Sequence, residues 1–409
     1  MSTPAGAERS FDVVVFGATG FTGRLVADYL SRNAPSSLRW AIAGRSEEKL
    51  AGIRKGLSGR PPDGLLVADS KDPSSLRTMA QQTRAVATTV GPYARYGAEL
   101  VAACVAEATH YCDLTGEVAF MRDMIEQHHE AARSSGARIV HACGFDSIPS
   151  DLGVFVLQNG LQARGEAPCE HVKFILLGGK GGFSGGTLES MAMMIEAVRD
   201  PETRKRVGHP YALNPEGERR GPDRGDQMGA AYDEVSGWWT GPFLMAAVNT
   251  RVVRRSHALT GWAYGRDFRY DEVMRFGSGL AGRAKATAFV GGLGAFLGGM
   301  ALPPVRTLMQ KTFLPSAGEG PSPEAIESGF FKILLSGRRE GREVARVTVT
   351  GRRDPGYGAT ACMLSESAIC LAAQPATPGS GGVLTPATAM GTELVERLNE
   401  SDVGFEFEA

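Results

Sequence analysis

FDVVVFGATGFTG, from Phe11 to Gly23, runs a largely apolar segment rich in β-branched residues into three glycines spaced G-x-x-G-x-x-G. The overlapping stretch FTGRLVADYL (21–30) carries Leu25, Val26, Tyr29 and Leu30 at helical spacing. This is the pattern of a strand, a tight turn and a helix N-terminus. Glycines let the backbone turn sharply and approach a pyrophosphate, and the helix's unpaired N–H groups and dipole favour its negative charge. The implied ligand is a dinucleotide, held by Gly17, Ala18, Thr19, Gly20, Phe21, Thr22 and Gly23. A glycine triplet by itself could equally pack a helix onto a sheet, so the surrounding chain has to decide.

The next apolar run, LRWAIAGR, ends in Gly44, Arg45 and Ser46. The end of a second strand meets the adenosine ribose: an acidic residue there would bond the 2′-hydroxyl of NAD, whereas an Arg accommodates a 2′-phosphate. Arg45, about 22 residues beyond Gly23, therefore points to NADP(H). The competing reading is a solvated charge at a strand end. Ser46 could bond the same phosphate or cap the helix that begins at Glu47.

The alternation continues. GLLVAD (64–69), a helix over 73–82, RAVATTV (84–90), a helix over 97–108 and HYCDLT (110–115) precede a helix over 120–135 and ARIVHAC (137–143). Six strands with five intervening helices imply an α/β fold, a Rossmann-type doubly wound parallel sheet that binds ligands at the strands' carboxyl ends. Those ends add Asp69, Val90, Gly91 and Pro92 to the expected cofactor contacts. GPYARYG after the fourth strand and CGFDSIPSDLG after the sixth bring Tyr93, Tyr96 and Asp146 toward the redox centre. Each also has a structural reading: a packed turn residue for Tyr93, sheet-edge cover for Tyr96, a helix cap for Asp146.

At 409 residues the chain is long for one domain. With 44 basic and 45 acidic residues it has no global field to draw nucleic acid. Six cysteines without a C-x-x-C pair, and a first ten residues without an apolar signal, fit a reduced, cytoplasmic setting. No histidine spacing suggests a metal: His128 and His129 are adjacent and point apart on a helix.

Beyond Cys169 the pattern changes to a mixed α+β domain. Expected here are a strand over 170–179, a helix over 187–198 with Met191, Met194, Ile195 and Val198 on one face, and a charge-balanced mobile insertion over 200–226. Trp238, Trp239 and Phe243 would line an apolar channel or form core. Arg251, Arg254 and Arg255 would receive a phosphate or an acidic partner, or face solvent. Ala286 to Pro304, 19 residues without a charge, reads as a buried or interfacial Gly-rich helix rather than a bilayer span, leaving peripheral membrane contact open. FFKILLSGRR and REVARVTVTGRR alternate as a hairpin through Glu340-Gly341, offering a wall over the cofactor and a homodimer contact. A helix begins at Ala359, and an amphipathic helix over 385–398 is expected to return to the first domain. The resulting boundaries are 1–150 for NADP(H) binding, 151–380 for substrate and dimerisation, and 381–409 for the returning segment.

GATGFTG, AGRSEEKL, TTVGPYARYG, HYCDLTGE, CGFDSIPSDLG and SGGT together resemble the saccharopine dehydrogenase-like superfamily. GWWTGPF, NTRVVRRSHAL, GWAYGRDFRY and GVLTPATAMG are similar, more narrowly, to its mycobacterial trans-acting enoyl reductase branch, and the likeness runs from Phe11 to Leu398. The resemblance implies an NADPH-dependent reductase acting in trans on the α,β-double bond of an acyl thioester made by a polyketide synthase, on the way to complex lipids. Such chemistry needs hydride at the β-carbon, a stabilised enolate oxygen and a proton at the α-carbon. Tyr93 and Tyr96 are the candidate proton donors or enolate partners, with Asp146 orienting them or the nicotinamide. A saccharopine-type amino-acid oxidoreductase and a non-catalytic NADPH-binding protein at a lipid surface are the alternatives.

Overall fold

Short apolar runs joined by helices pair as parallel strands, because each crossover lays a helix on a face of the sheet and leaves the strand apolar on both sides. The computed structural model describes residues 9–181, 199–302 and 320–409. Its strands, in chain order, are β1 (Phe11–Phe16), β2 (Trp40–Gly44), β3 (Gly64–Val67), β4 (Thr83–Thr88), β5 (His110–Asp113), β6 (Arg138–Val140), β7 (His171–Lys180), β8 (Ala231–Asp233), β9 (Trp238–Pro242), β10 (Arg269–Gly277), β11 (Phe330–Arg339), β12 (Arg342–Gly351), β13 (Gly382–Leu384) and β14 (Val403–Glu408). Two units emerge: Met1–Phe145 with Gly356–Ser401, and Asp146–Pro355 with Asp402–Ala409.

The first unit is a seven-stranded parallel sheet of order β13-β6-β5-β4-β1-β2-β3. Val13, Val14, Val15, Trp40, Ile42, Val86 and Tyr111 are wholly buried in it. The strand order reverses between β1 and β4, which creates the crevice where such sheets bind ligands. Local signals set the helix ends. Ser46 caps Glu47–Gly56 through the Lys49 amide, Asp72 caps Pro73–Gln81 through Ser74, and Gly136 (φ +85°) closes Val118–Ser135 in the left-handed conformation.

The second unit is a mixed sheet of order β14-β12-β11-β7-β10-β9-β8 in which only β7 and β10 run parallel. The β11–β12 hairpin turns at Glu340 (φ +51°) and Gly341 (φ +72°), a left-handed pair whose twist suits adjoining strands. Helix Ile148–Ala163 packs on β11, β12 and β14, and helix Ala246–Leu259 packs on β10.

Several expectations are corrected. The parallel sheet has a seventh strand, β13, formed by three residues too few to show a period. Helix Gly358–Ala373, expected in the second domain, lies against β1, β4 and β5 of the first, and all of its residues through Ala372 are buried. The C-terminal tail, expected in the first domain, instead pairs as β14 with β12. The expected single helix over 385–398 breaks at Gly391 (φ +48°) into Pro386–Ala389 and Gly391–Asn399.

Residues 200–226 are a docked segment: Tyr211, Ala212, Leu213 and Asn214 are buried. The side chains that dock it are the arginines assigned to an external anion. Arg251 pairs with Asp226, Arg254 bonds Asp223 at 2.6 Å, and Arg255 donates to the Leu213 carbonyl at 2.6 Å, all three being buried. Burial pushes the Arg255 guanidinium down to about 9. Phe243 stacks on Phe174 in the core, with ring centroids 5.3 Å apart. Helix Gly279–Ala301 is largely exposed along its described length rather than buried, and no described helix is long and apolar enough to cross a membrane. The expected helix over 187–198 and the residues Pro303 and Pro304 lie outside the described residues.

Candidate cofactor and active site

The glycine turn is built by close approach. Gly17 takes φ +91°, and a Cβ there would lie 2.7 Å from Val90 Cγ2 and 2.9 Å from Thr89 Oγ1. A Cβ at Gly23 would lie 2.2 Å from the Gly17 carbonyl oxygen and 2.8 Å from Ala18 Cα. The first glycine thus turns the chain against the end of β4, and the third lets the helix start tight against the turn. Gly20 differs: its Cβ would meet only the Gly17 oxygen, at 3.3 Å, and it stands as N-cap of helix Phe21–Asn33 with no side chain capping that end. Amides of the first helical turn are therefore not consumed by a cap, which fits a pyrophosphate at this terminus.

Hydrogen bonds fix the turn in place. Gly17 and Ala18 donate to the Ala43 carbonyl at 3.0 and 3.3 Å, and Thr89 donates to Phe16 at 3.0 Å, joining the ends of β1, β2 and β4. Arg24 donates to the Thr19 carbonyl at 3.1 and 3.2 Å, and Phe21 packs edge-on against Tyr357 at 5.2 Å. Thr22, like Phe21, is half-buried in the helix's first turn. Arg45 is exposed just past β2 and makes no ion pair among the described residues. Ser46 accepts from the Lys49 amide at 3.3 Å, so capping engages its hydroxyl. Asp69 accepts from the Lys71 amide at 3.0 Å beyond β3. Val90, Gly91 and Pro92 come after β4, and Pro92 is N-cap of the single turn Tyr93–Tyr96.

That single turn has its own clamp. The Glu117 carboxylate, buried, accepts from the Tyr93 amide at 2.9 Å and the Ala94 amide at 2.8 Å. The Tyr93 hydroxyl donates to the Thr88 carbonyl at 3.1 Å and accepts from the Leu114 amide at 3.2 Å. The phenol thus ties β4 to the chain beyond β5 and holds its proton against a carbonyl, the contacts of the packed turn residue that was its structural reading. Tyr96 is half-exposed, with the Arg95 guanidinium 5.6 Å from its ring centroid. Asp146 is half-buried and opens the second unit, and the next helix takes Ser147 rather than Asp146 as its N-cap.

The sequence pattern did not single out Asp113 and His141, at the carboxyl ends of β5 and β6. Asp113, wholly buried, accepts from Thr115 and Ala142 amides at 3.0 Å each, from the Tyr111 hydroxyl at 2.8 Å and from His141 Nδ1 at 2.7 Å. Burial and the neighbouring carboxylate push the Tyr111 hydroxyl well above its ordinary value, so it stays a donor. With Nδ1–H donated to Asp113, His141 Nε2 is buried without a hydrogen-bond partner among the described residues. The ring sits edge-on to Phe120 and Tyr111 at 5.3 and 5.8 Å. The signal was present in HYCDLTGE and ARIVHAC: polar residues that close apolar strands at the ligand-binding edge.

A family model described as the saccharopine dehydrogenase NADP binding domain matches residues 13–140. A Mycobacterium tuberculosis protein named as a putative trans-acting enoyl reductase is 43% identical, over 97% of each chain. A trans-acting enoyl reductase of Mycobacterium bovis is 40% identical over 96% of each. Among solved structures, apo saccharopine dehydrogenase (L-Glu forming) from Saccharomyces cerevisiae matches with a TM-score of 0.50 and 12% identity, covering 97% of this chain and 99% of that one, a likeness of fold alone. With an NADP-binding domain that opens on this glycine turn, and relatives similar along their whole length, the chain is an NADP-dependent oxidoreductase and belongs to the trans-acting enoyl reductase family.

Proposed function

We propose that the protein reduces the carbon–carbon double bond of an enoyl thioester delivered by a separate synthase. The observation that carries this is the pairing of a tightly packed glycine turn and an exposed Arg45 with full-length similarity to trans-acting enoyl reductases. NADPH, when bound, supplies the hydride. The turn at Gly17, Gly20 and Gly23 receives the pyrophosphate, and Arg45 receives the 2′-phosphate.

The Glu117 clamp and the Tyr93 hydroxyl fix the loop after β4, and this positions Tyr96, the tyrosine of that turn that is not buried, to donate a hydrogen bond to the enolate oxygen. Asp146 is the proposed orienting carboxylate. The substrate is an acyl thioester, the partner is the synthase or acyl carrier that presents it, and a polyketide-type acyl chain is the proposed class.

The test is NADPH consumption against a panel of enoyl thioesters, with an imine formed from an amino acid and a carbonyl as the contrasting substrate. Turnover is expected with the thioesters, and Tyr96→Phe should lower kcat by about 100- to 1000-fold while leaving NADPH affinity unchanged. Turnover with the imine alone would replace this reading with the amino-acid one, and full activity in Tyr96→Phe would remove the tyrosine from it.

A further inference from the structure

Arg251, Arg254 and Arg255 are internal, yet the second unit carries exposed cations elsewhere. At the end of β10, the Arg275 guanidinium lies over Trp238, 4.2 Å from the ring centroid. Arg283, in helix Gly279–Ala301, lies over the neighbouring Trp239 at 5.4 Å. Tyr232 of the edge strand β8 tilts onto the same Trp239, centroids 5.7 Å apart, and is 51% exposed. The helix start folds tightly back on the end of β10, since a Cβ at Gly282 would come 2.4 Å from the Gly277 carbonyl oxygen, with Trp239 Cδ1 in ordinary contact at 3.4 Å. Lys285 is exposed two residues beyond Arg283, Leu280 is 83% exposed, and Met228, just before β8, is 69% exposed.

These cations are uncommitted. Arg275, Arg283 and Lys285 form no ion pair among the described residues. The nearby sheet carboxylates are already engaged: Asp233 by Arg338 at 2.7 and 2.8 Å, and Asp271 by Lys173 and His171. Glu234 is the exposed acid on the same hairpin. A guanidinium held over an indole has surrendered rotamer freedom before any partner arrives, and both arginines remain exposed. Trp, Tyr, Met and Arg are also the residues that concentrate binding energy at protein interfaces.

We propose that this Trp–Arg face of β8, β9 and the start of helix Gly279–Ala301 is the docking surface for the acidic carrier protein that presents the acyl thioester. The proposal rests on the enoyl reductase reading, which requires a substrate held by another protein. A protein surface is favoured over an anionic bilayer because Arg275 and Arg283 are each fixed on an aromatic ring, a geometry suited to discrete carboxylates.

The experiment compares wild type with the full-length R275E/R283E/K285E variant on two substrates: a crotonyl group on an acidic acyl carrier protein, and crotonyl-N-acetylcysteamine. The variant is expected to raise KM for the carrier-bound substrate about tenfold or more and to leave the small thioester's kinetics unchanged, which also shows that it folds. If the triple variant loses the small-substrate activity, R283Q/K285Q replaces it, with a smaller shift in the same direction expected. Equal KM values for the carrier-bound substrate overturn the proposal. So does flotation of wild type with phosphatidylglycerol vesicles that the variant loses while its carrier kinetics stay intact, since the face would then serve a lipid surface. If wild type turns over neither thioester, the enoyl reductase reading fails, and binding of the unloaded carrier, measured by fluorescence anisotropy, still decides whether this face docks it.

Discussion

In the proposed function, Arg45 and the three glycines divide the work of holding NADPH. The glycines act through what they lack, and two of them have no room for a methyl group: at Gly23 a Cβ would overlap the Gly17 carbonyl outright. Arg45 acts through a charge that no described residue engages. A hydrogen bond to a charged group is worth about 1.5–3 kcal/mol, so Arg45→Ala should weaken NADPH binding roughly 10- to 100-fold while changing NADH binding little. Fluorescence titration with both cofactors reads this directly, and equal losses would contradict a 2′-phosphate contact. Glu117 and the Tyr93 hydroxyl fix the loop after β4 through its backbone.

At the scale of an element, β10 carries a carboxylic acid into the core. Glu272 accepts from the Tyr270 hydroxyl at 2.7 Å and from the Asn249 amide, on the packed helix Ala246–Leu259, at 3.0 Å. Burial pushes its carboxyl up to about 7 from an ordinary 4.5, and the Asp226 carboxylate adds to the rise. Between those values the folded protein keeps a proton that the unfolded chain releases. Glu272 therefore contributes stability that is fully present below about pH 4.5 and is lost as pH rises to about 7, a swing of a few kcal/mol. Glu272→Gln should flatten this stretch of the stability–pH curve relative to wild type, as measured by urea unfolding from about pH 4.5 to 8. Identical curves would show that Glu272 titrates in its ordinary range. The same region shows why charge patterns misled: Arg251, Arg254 and Arg255 share a helix with Asn249, and only the fold brings Asp223 and Asp226 against them.

For the whole molecule, the decisive feature is that the chain leaves the first unit and returns to it. Helix Gly358–Ala373 covers β1, β4 and β5, and β13 pairs with β6, although both lie more than 200 residues beyond the strands they complete. A fragment ending at residue 150 would expose the face of a buried parallel sheet, which such sheets do not tolerate. It is expected to show collapsed, poorly dispersed NMR spectra and no NADPH binding. Residues 1–145 joined by a short linker to 356–401 should fold and bind. A well-folded 1–150 fragment would show that the returning helix is dispensable.

The sequence by itself determined the β-α alternation, the glycine turn and the placement of Arg45, because these rest on period, chain stiffness and charge among near neighbours in the chain. Its motifs also carried the family. Only the tertiary structure decided what long-range contacts create: the seventh strand, the returning helix, the burial of the arginines, the engagement of the Tyr93 hydroxyl, and the Asp113–His141 pair. A side chain's chemistry is written in the sequence, but whether it faces a ligand or a neighbour depends on which distant segment packs against it.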